Sequence, residues 1–71
     1  MEVYHLREIP GGWNVAVVRE AGRWRVHEAT RAGTDGRIRV DPPGPIGDGR
    51  FASMSTAIEA AIEWLRRSES P

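Results

Sequence analysis

The chain has no cysteine, no lysine and no apolar run long enough to cross a bilayer. Without cysteine, neither a disulfide nor a zinc–thiolate site can reinforce the core. Without lysine, all ten basic side chains are arginines. That choice reflects either the codon usage of a GC-rich genome or a need for forked contacts to phosphate and carboxylate. The longest aliphatic run is Val15-Ala16-Val17-Val18, and the opening Met-Glu-Val-Tyr-His-Leu-Arg-Glu has an acid where an export signal needs a base. A soluble, cytoplasmic protein without membrane association is therefore expected. At 71 residues the core is marginal, so the chain is read as a single domain, either a well-packed monomer or a homodimer that hides an extra apolar strip. A formal net charge of zero excludes a strongly basic whole-molecule footprint but leaves the distribution of charge open.

What is present reads as α+β. Residues 2–9 hold β-formers in loose alternation, broken by Pro10-Gly11-Gly12. Residues 13–20, Trp-Asn-Val-Ala-Val-Val-Arg-Glu, are the strongest strand by β-branched and aromatic content. Ala21-Gly22 is a tight-turn signal, and residues 23–29 alternate cleanly to complete a hairpin. Residues 37–40 alternate again as a short fourth strand. Residues 41–49 carry three prolines among glycines and aspartates and are expected to form an irregular surface loop. Phe51 is expected to close a last short extended piece.

The C-terminal helix, residues 54–67, has the firmest pattern. Met54, Ala57, Ile58, Ala61, Ile62, Trp64 and Leu65 share one broad arc at a 3.6-residue period, with Glu59, Glu63, Arg66 and Arg67 opposite. Ser53 or Thr56 can cap it, Thr56 and Glu59 have the spacing of a capping box, and Glu63 with Arg67 makes a favourable i,i+4 pair. The expected architecture is an antiparallel three- to four-stranded β-meander packed on one face by this single amphipathic helix.

Turn lengths assign the faces. A two-residue loop at Ala21-Gly22 pairs Val17 with Val26 and Val18 with Arg25. A four-residue loop at residues 9–12 pairs Tyr4 with Val17 and Leu6 with Val15. The helix then covers Tyr4, Leu6, Trp13, Val15, Val17, Trp24, Val26, Ile38 and Val40. The open face collects Val3, His5, Arg7, Asn14, Ala16, Val18, Arg23, Arg25, His27, Arg37 and Arg39, with Glu20 as its lone carboxylate. A one-residue slip would exchange the two sets. The ordinary alternative to a functional basic face is a solvated sheet surface on which arginine shields the backbone.

Little in the chain suggests chemistry. His5 and His27 lack a third ligand at metal spacing, and Glu59 with Glu63 reads as a solubilising pair. Ser53 and Ser55 lack a nucleophile elbow, and prolines 42, 43 and 45 remove amides that a phosphate loop would use. Trp13, Trp24 and Trp64 read as core anchors. The chain is expected to be non-catalytic, with no cofactor and no metal.

Trp13-x-Val-x-Val, Gly22-Arg23-Trp24-Arg25-Val26, and Phe51-x-Ser53 followed by Ala57, Glu59, Ala60 and Ala61 give residues 13–65 a resemblance to small β-β-β-α families. These are the DNA-binding domains of plant ethylene-response factors with the arm-binding domains of tyrosine recombinases, the HicB-like antitoxin fold, and a group of short bacterial domains. In the DNA-binding families the open sheet face enters the major groove. The resemblance would give that role to Arg23, Arg25, Arg37 and Arg39. The chain departs from those families in placing Trp24 on the core face and in inserting the loop of residues 41–49.

Two functions are therefore expected. One is a nucleic-acid-binding module that uses Arg7, Arg23, Arg25, His27, Arg37 and Arg39 on the open sheet. The other is a protein-interaction or regulatory module, antitoxin-like or a phage-type accessory protein. In it Val3, Ala16 and Val18 form an interface with an acidic protein partner or a second copy.

Overall fold

The computed structural model of the protein describes residues 3–69. The expected strand start at residue 2 and the chain end at residues 70 and 71 lie outside that range. Four antiparallel strands, β1 (Tyr4–Ile9), β2 (Trp13–Glu20), β3 (Arg23–Gly33) and β4 (Gly36–Val40), form one sheet in chain order. A short helix α1 (Gly44–Gly47) and the long helix α2 (Met54–Glu69) follow. The meander and its covering helix are as expected. β3 is longer than its sequence pattern indicated, because Thr30 to Gly33 gain β4 as a pairing partner.

The central hairpin follows from its turn. Ala21 (φ 51) and Gly22 (φ 77) both adopt left-handed backbone, the geometry that matches the twist of two strands joined by a two-residue loop. Val17 consequently pairs with Val26 and Val18 with Arg25. Further along, the register shifts beside Ala16 and Val17, so that Ala16 faces Glu28 and His27 has no Cα partner. This is a β-bulge: one extra residue in β3, which moves Glu28 and all that follows by one position relative to β2.

The first hairpin differs from the expected one. Its loop has three residues, with Gly11 (φ 95) and Gly12 (φ 80) both left-handed, and Ile9 pairs with Trp13. Tyr4 therefore faces Val18, His5 faces Val17, Leu6 faces Ala16 and Arg7 faces Val15. A strand's side chains alternate with period two, so this one-residue slip inverts the whole of β1. Tyr4 and Leu6, expected in the core, are exposed on the open face; His5, Arg7 and Ile9 share the helix side with Val15 and Val17.

α2 packs across β2 and β3. Ile9, Trp13, Val15, Val17, Val26, Ala29, Ala57, Ala61 and Leu65 form the buried cluster, flanked by Trp24, Val40, Ile46, Phe51, Met54, Ile58, Ile62 and Trp64. The small residues Ala57 and Ala61 let the helix sit close to the sheet, while Leu65 fills the space toward its C-terminal end. Ser53 is the N-cap: its Oγ accepts from the Thr56 amide at 3.2 Å, and its carbonyl accepts from Ala57. Thr56 thus lies inside the first turn and meets Ser53 Oγ at 2.9 Å, rather than opening a capping box with Glu59. Arg67 donates to Glu63 at 2.6 Å, as the i,i+4 spacing predicted.

The loop expected to be irregular contains a turn of helix at Gly44–Gly47. Pro43 stands at its N-cap and Pro45 in its first turn, where a missing amide costs no helical bond. Phe51 then closes an isolated bridge to Trp24, with hydrogen bonds of 2.8 and 3.1 Å, along the start of β3, on the edge that β4 pairs further along.

Candidate functional site

The open sheet face is the surface that α2 leaves uncovered. Following the pairings, it carries Tyr4, Leu6 and Glu8 from β1, and Asn14, Ala16, Val18 and Glu20 from β2. From β3 and β4 it carries Arg23, Arg25, His27, Glu28, Thr30, Ala32, Arg37 and Arg39. Four of the expected arginines are there. Arg7 is not: the shorter first loop places it on the helix side. The same slip brings Glu8 to the open face, and the bulge brings Glu28.

The face is therefore close to charge-balanced, with Arg23, Arg25, Arg37 and Arg39 against Glu8, Glu20 and Glu28. Arg25 forms an ion pair with Glu20, and Arg39 approaches Glu28 at 3.7 Å and Asp41 at 3.4 Å. His27 Nε2 lies 3.3 Å from Glu28 Oε1, and its ring rests against Tyr4 at 4.7 Å between centroids. Arg23 and Arg37 enter no ion pair among the described residues. Arg23 opens β3 and Arg37 lies on β4 opposite Ala32 near the other end of β3, about 30 Å away at an ordinary strand rise.

The expected apolar interface also changes. Ala16 (6 % exposed) and Val18 (0 %) lie on the open face but beneath it, so they present no surface. Val3 is on the helix side, where it lines a depression of about 450 Å³ with His5, Arg19 and Trp24. The His5 ring meets Trp24 edge-on at 5.4 Å. A second depression, of about 320 Å³, lies between β1 and the start of α2, lined by Arg7, Glu8, Met54, Ser55, Ile58 and Glu59.

These features converge on β1, which the sequence had placed half in the core. Among the described residues, the large hydrophobic side chains left exposed are Val3, Tyr4, Leu6 and Ile38. Three of them belong to β1 or immediately precede it. β1 is an edge strand, bonded to β2 on one side only. Its outward amides and carbonyls form a row to which another strand can add. Arg7 and Arg19, both exposed, are in no ion pair among the described residues. Residues missed from sequence are thus Tyr4 and Leu6 on one side of the edge and Arg19 on the other. The paired glycines at Gly11-Gly12 are the signal that could have found the first two, because adjacent left-handed glycines suit a tighter loop.

Among the described residues, no three His, Asp or Glu side chains group as metal ligands, and no helix is long and apolar enough to cross a membrane. Comparison with protein-family models, with curated proteins and with solved structures gives no match.

Proposed function

We propose that this domain is a protein-interaction module whose edge strand β1 accepts an extended segment of a partner. The observation that carries the reading is the concentration of exposed apolar side chains, Val3, Tyr4 and Leu6, along a strand with one unbonded side. Strand addition of this kind draws affinity from main-chain hydrogen bonds and selectivity from alternate side chains. The depressions beside Arg7 and beside Trp24 offer places for side chains of the added strand. The balanced charge of the open sheet favours a protein partner over a phosphate backbone, since the Arg25 and Arg39 guanidinium groups already have carboxylate partners.

Selection from a random heptapeptide display library tests the reading. The wild-type domain is expected to enrich β-forming sequences, and a Tyr4→Lys/Leu6→Lys variant to lose that enrichment while keeping its circular dichroism spectrum. Equal enrichment by wild type and variant would remove β1 from the function.

A further inference from the structure

Resting on the reading of β1 as an acceptor edge, we infer that the strand it accepts alternates acidic and apolar residues and belongs to a different protein. The two sides of β1 differ in chemistry. Toward the open face it shows Tyr4 and Leu6, followed by Glu8. Toward the helix side it shows His5 and Arg7, with Arg19 behind them on β2, in the row of Val3 and Trp24. Among the described residues, Arg7 donates to the Leu6 carbonyl at 3.3 Å and enters no ion pair, although Glu8 and Glu59 share its depression; Arg19 likewise enters no ion pair.

An incoming strand lies about 5 Å beyond β1 and about 10 Å from β2. A carboxylate placed opposite Arg7 meets it directly, one opposite His5 reaches it as a diagonal neighbour, and one opposite Val3 reaches toward an extended Arg19. Residues between these positions point to the open face, where they cover Tyr4 and Leu6. Cross-strand pairs of opposite charge stabilise a sheet and like charges directly opposite destabilise it. The pattern acid–apolar–acid–apolar therefore fits both sides at once.

A second copy carries the wrong chemistry. Antiparallel pairings of β1 with itself that keep both helices on one side of the joined sheet and overlap most of the strand centre on Leu6 or Arg7. They place Arg7 against His5 or against a second Arg7. Neither sets a carboxylate opposite Arg7, whereas a strand from a different chain with acids at these positions does.

Fluorescein-labelled Val-Glu-Val-Glu-Val-Glu-Val is the probe, compared by anisotropy with the same peptide carrying lysine for glutamate and with a version that clusters its glutamates. The acidic alternating peptide is expected to bind at least about tenfold more tightly than either control. It is also expected to slow hydrogen exchange of outward-facing β1 amides. An Arg7→Glu/Arg19→Glu variant is expected to reverse the preference between glutamate and lysine peptides. Both residues are exposed, and circular dichroism verifies the fold. Equal binding of the two alternating peptides, with β1 protected, would overturn the acidic specificity while leaving strand addition standing. No binding of any peptide, with β1 amides unprotected, would overturn both. A stable dimer in light scattering that Leu6→Lys dissociates would overturn the inference in favour of a second copy.

Discussion

The two edges of this sheet are built in opposite ways. β4 alternates Arg37 and Arg39 on its open side, draws Arg39 toward Glu28 and Asp41, and runs into Pro42-Pro43. Charge and proline are the means by which an edge is kept from pairing with other chains. β1 also carries charge, at Arg7 and Glu8, but it leaves two large apolar side chains exposed, Tyr4 at 45 % and Leu6 at 66 %, where β4 leaves only Ile38 at 42 %. One edge is closed and the other is open. The difference cannot come from a need to fill the core, because Ile9 alone among the β1 residues is buried. It marks β1 as the edge where apolar surface is retained although the fold does not use it.

The contrast is tested first at Leu6, whose exposure should make it dispensable to the fold. Leu65 is 2 % exposed and part of the central cluster, so Leu65→Ala is expected to cost about 3 kcal/mol in urea unfolding. Leu6→Ala is expected to change stability by no more than about 0.5 kcal/mol. Equal losses would show Leu6 to be covered, by a partner copy or by the rest of the chain.

A change at the closed edge has the next largest effect. A Cβ at Gly33 would sit 2.9 Å from Ile38 Cγ1 and 3.0 Å from the Gly36 carbonyl, closer than normal packing permits. Gly33→Ala is expected to cost about 1–3 kcal/mol and to speed hydrogen exchange in β4 while β1 and β2 stay protected. If β1 loosens equally, the two edges are not independent.

Helix capping sharpens the picture of the open edge. Ser53→Ala removes the acceptor of the Thr56 amide and is expected to cost about 1 kcal/mol. The first turn of α2 supplies Met54, Ser55 and Ile58 to the depression beside Arg7, so fraying there should also weaken peptide binding. Loss of stability with unchanged binding would confine recognition to the strand itself.

Much of this molecule was legible in its sequence, and the failures have specific causes. α2 was readable because seven apolar residues keep a 3.6 period. β2 and β3 were readable because Ala21-Gly22 admits few loop lengths. β1 was inverted because Pro10-Gly11-Gly12 is compatible with loops of three or four residues, and one residue decides every side chain's face. The hydrophobic pattern pointed the wrong way there: Tyr4 and Leu6 look like core residues, while His5 and Arg7 look like surface. The bulge at His27 left no glycine to announce it, which is why Glu28 was not placed on the open face. The candidate site was hidden by the same step. The expected interface of Val3, Ala16 and Val18 gave way to a candidate edge of Val3, Tyr4 and Leu6, because Ala16 and Val18 are buried and β1 turned over.

The smallest expected effect concerns the arginines of the open face. In Arg25→Glu/Arg39→Glu, two cations already close to carboxylates are reversed, so Glu20, Glu28 and Asp41 lose these arginine contacts and stability falls by about 1 kcal/mol or less. Binding to a fluorescent 20-base duplex at 50 mM salt is expected to be absent in the wild type and in the variant. Affinity for a phosphate backbone scales with the number of phosphates neutralised, and Arg23 and Arg37, about 30 Å apart, neutralise few as a pair. A wild-type complex that weakens steeply with salt and vanishes in the variant would reverse the assignment of partner. Nucleic acid would then displace the Arg25–Glu20 pair, and the open sheet face rather than the β1 edge would be the working surface.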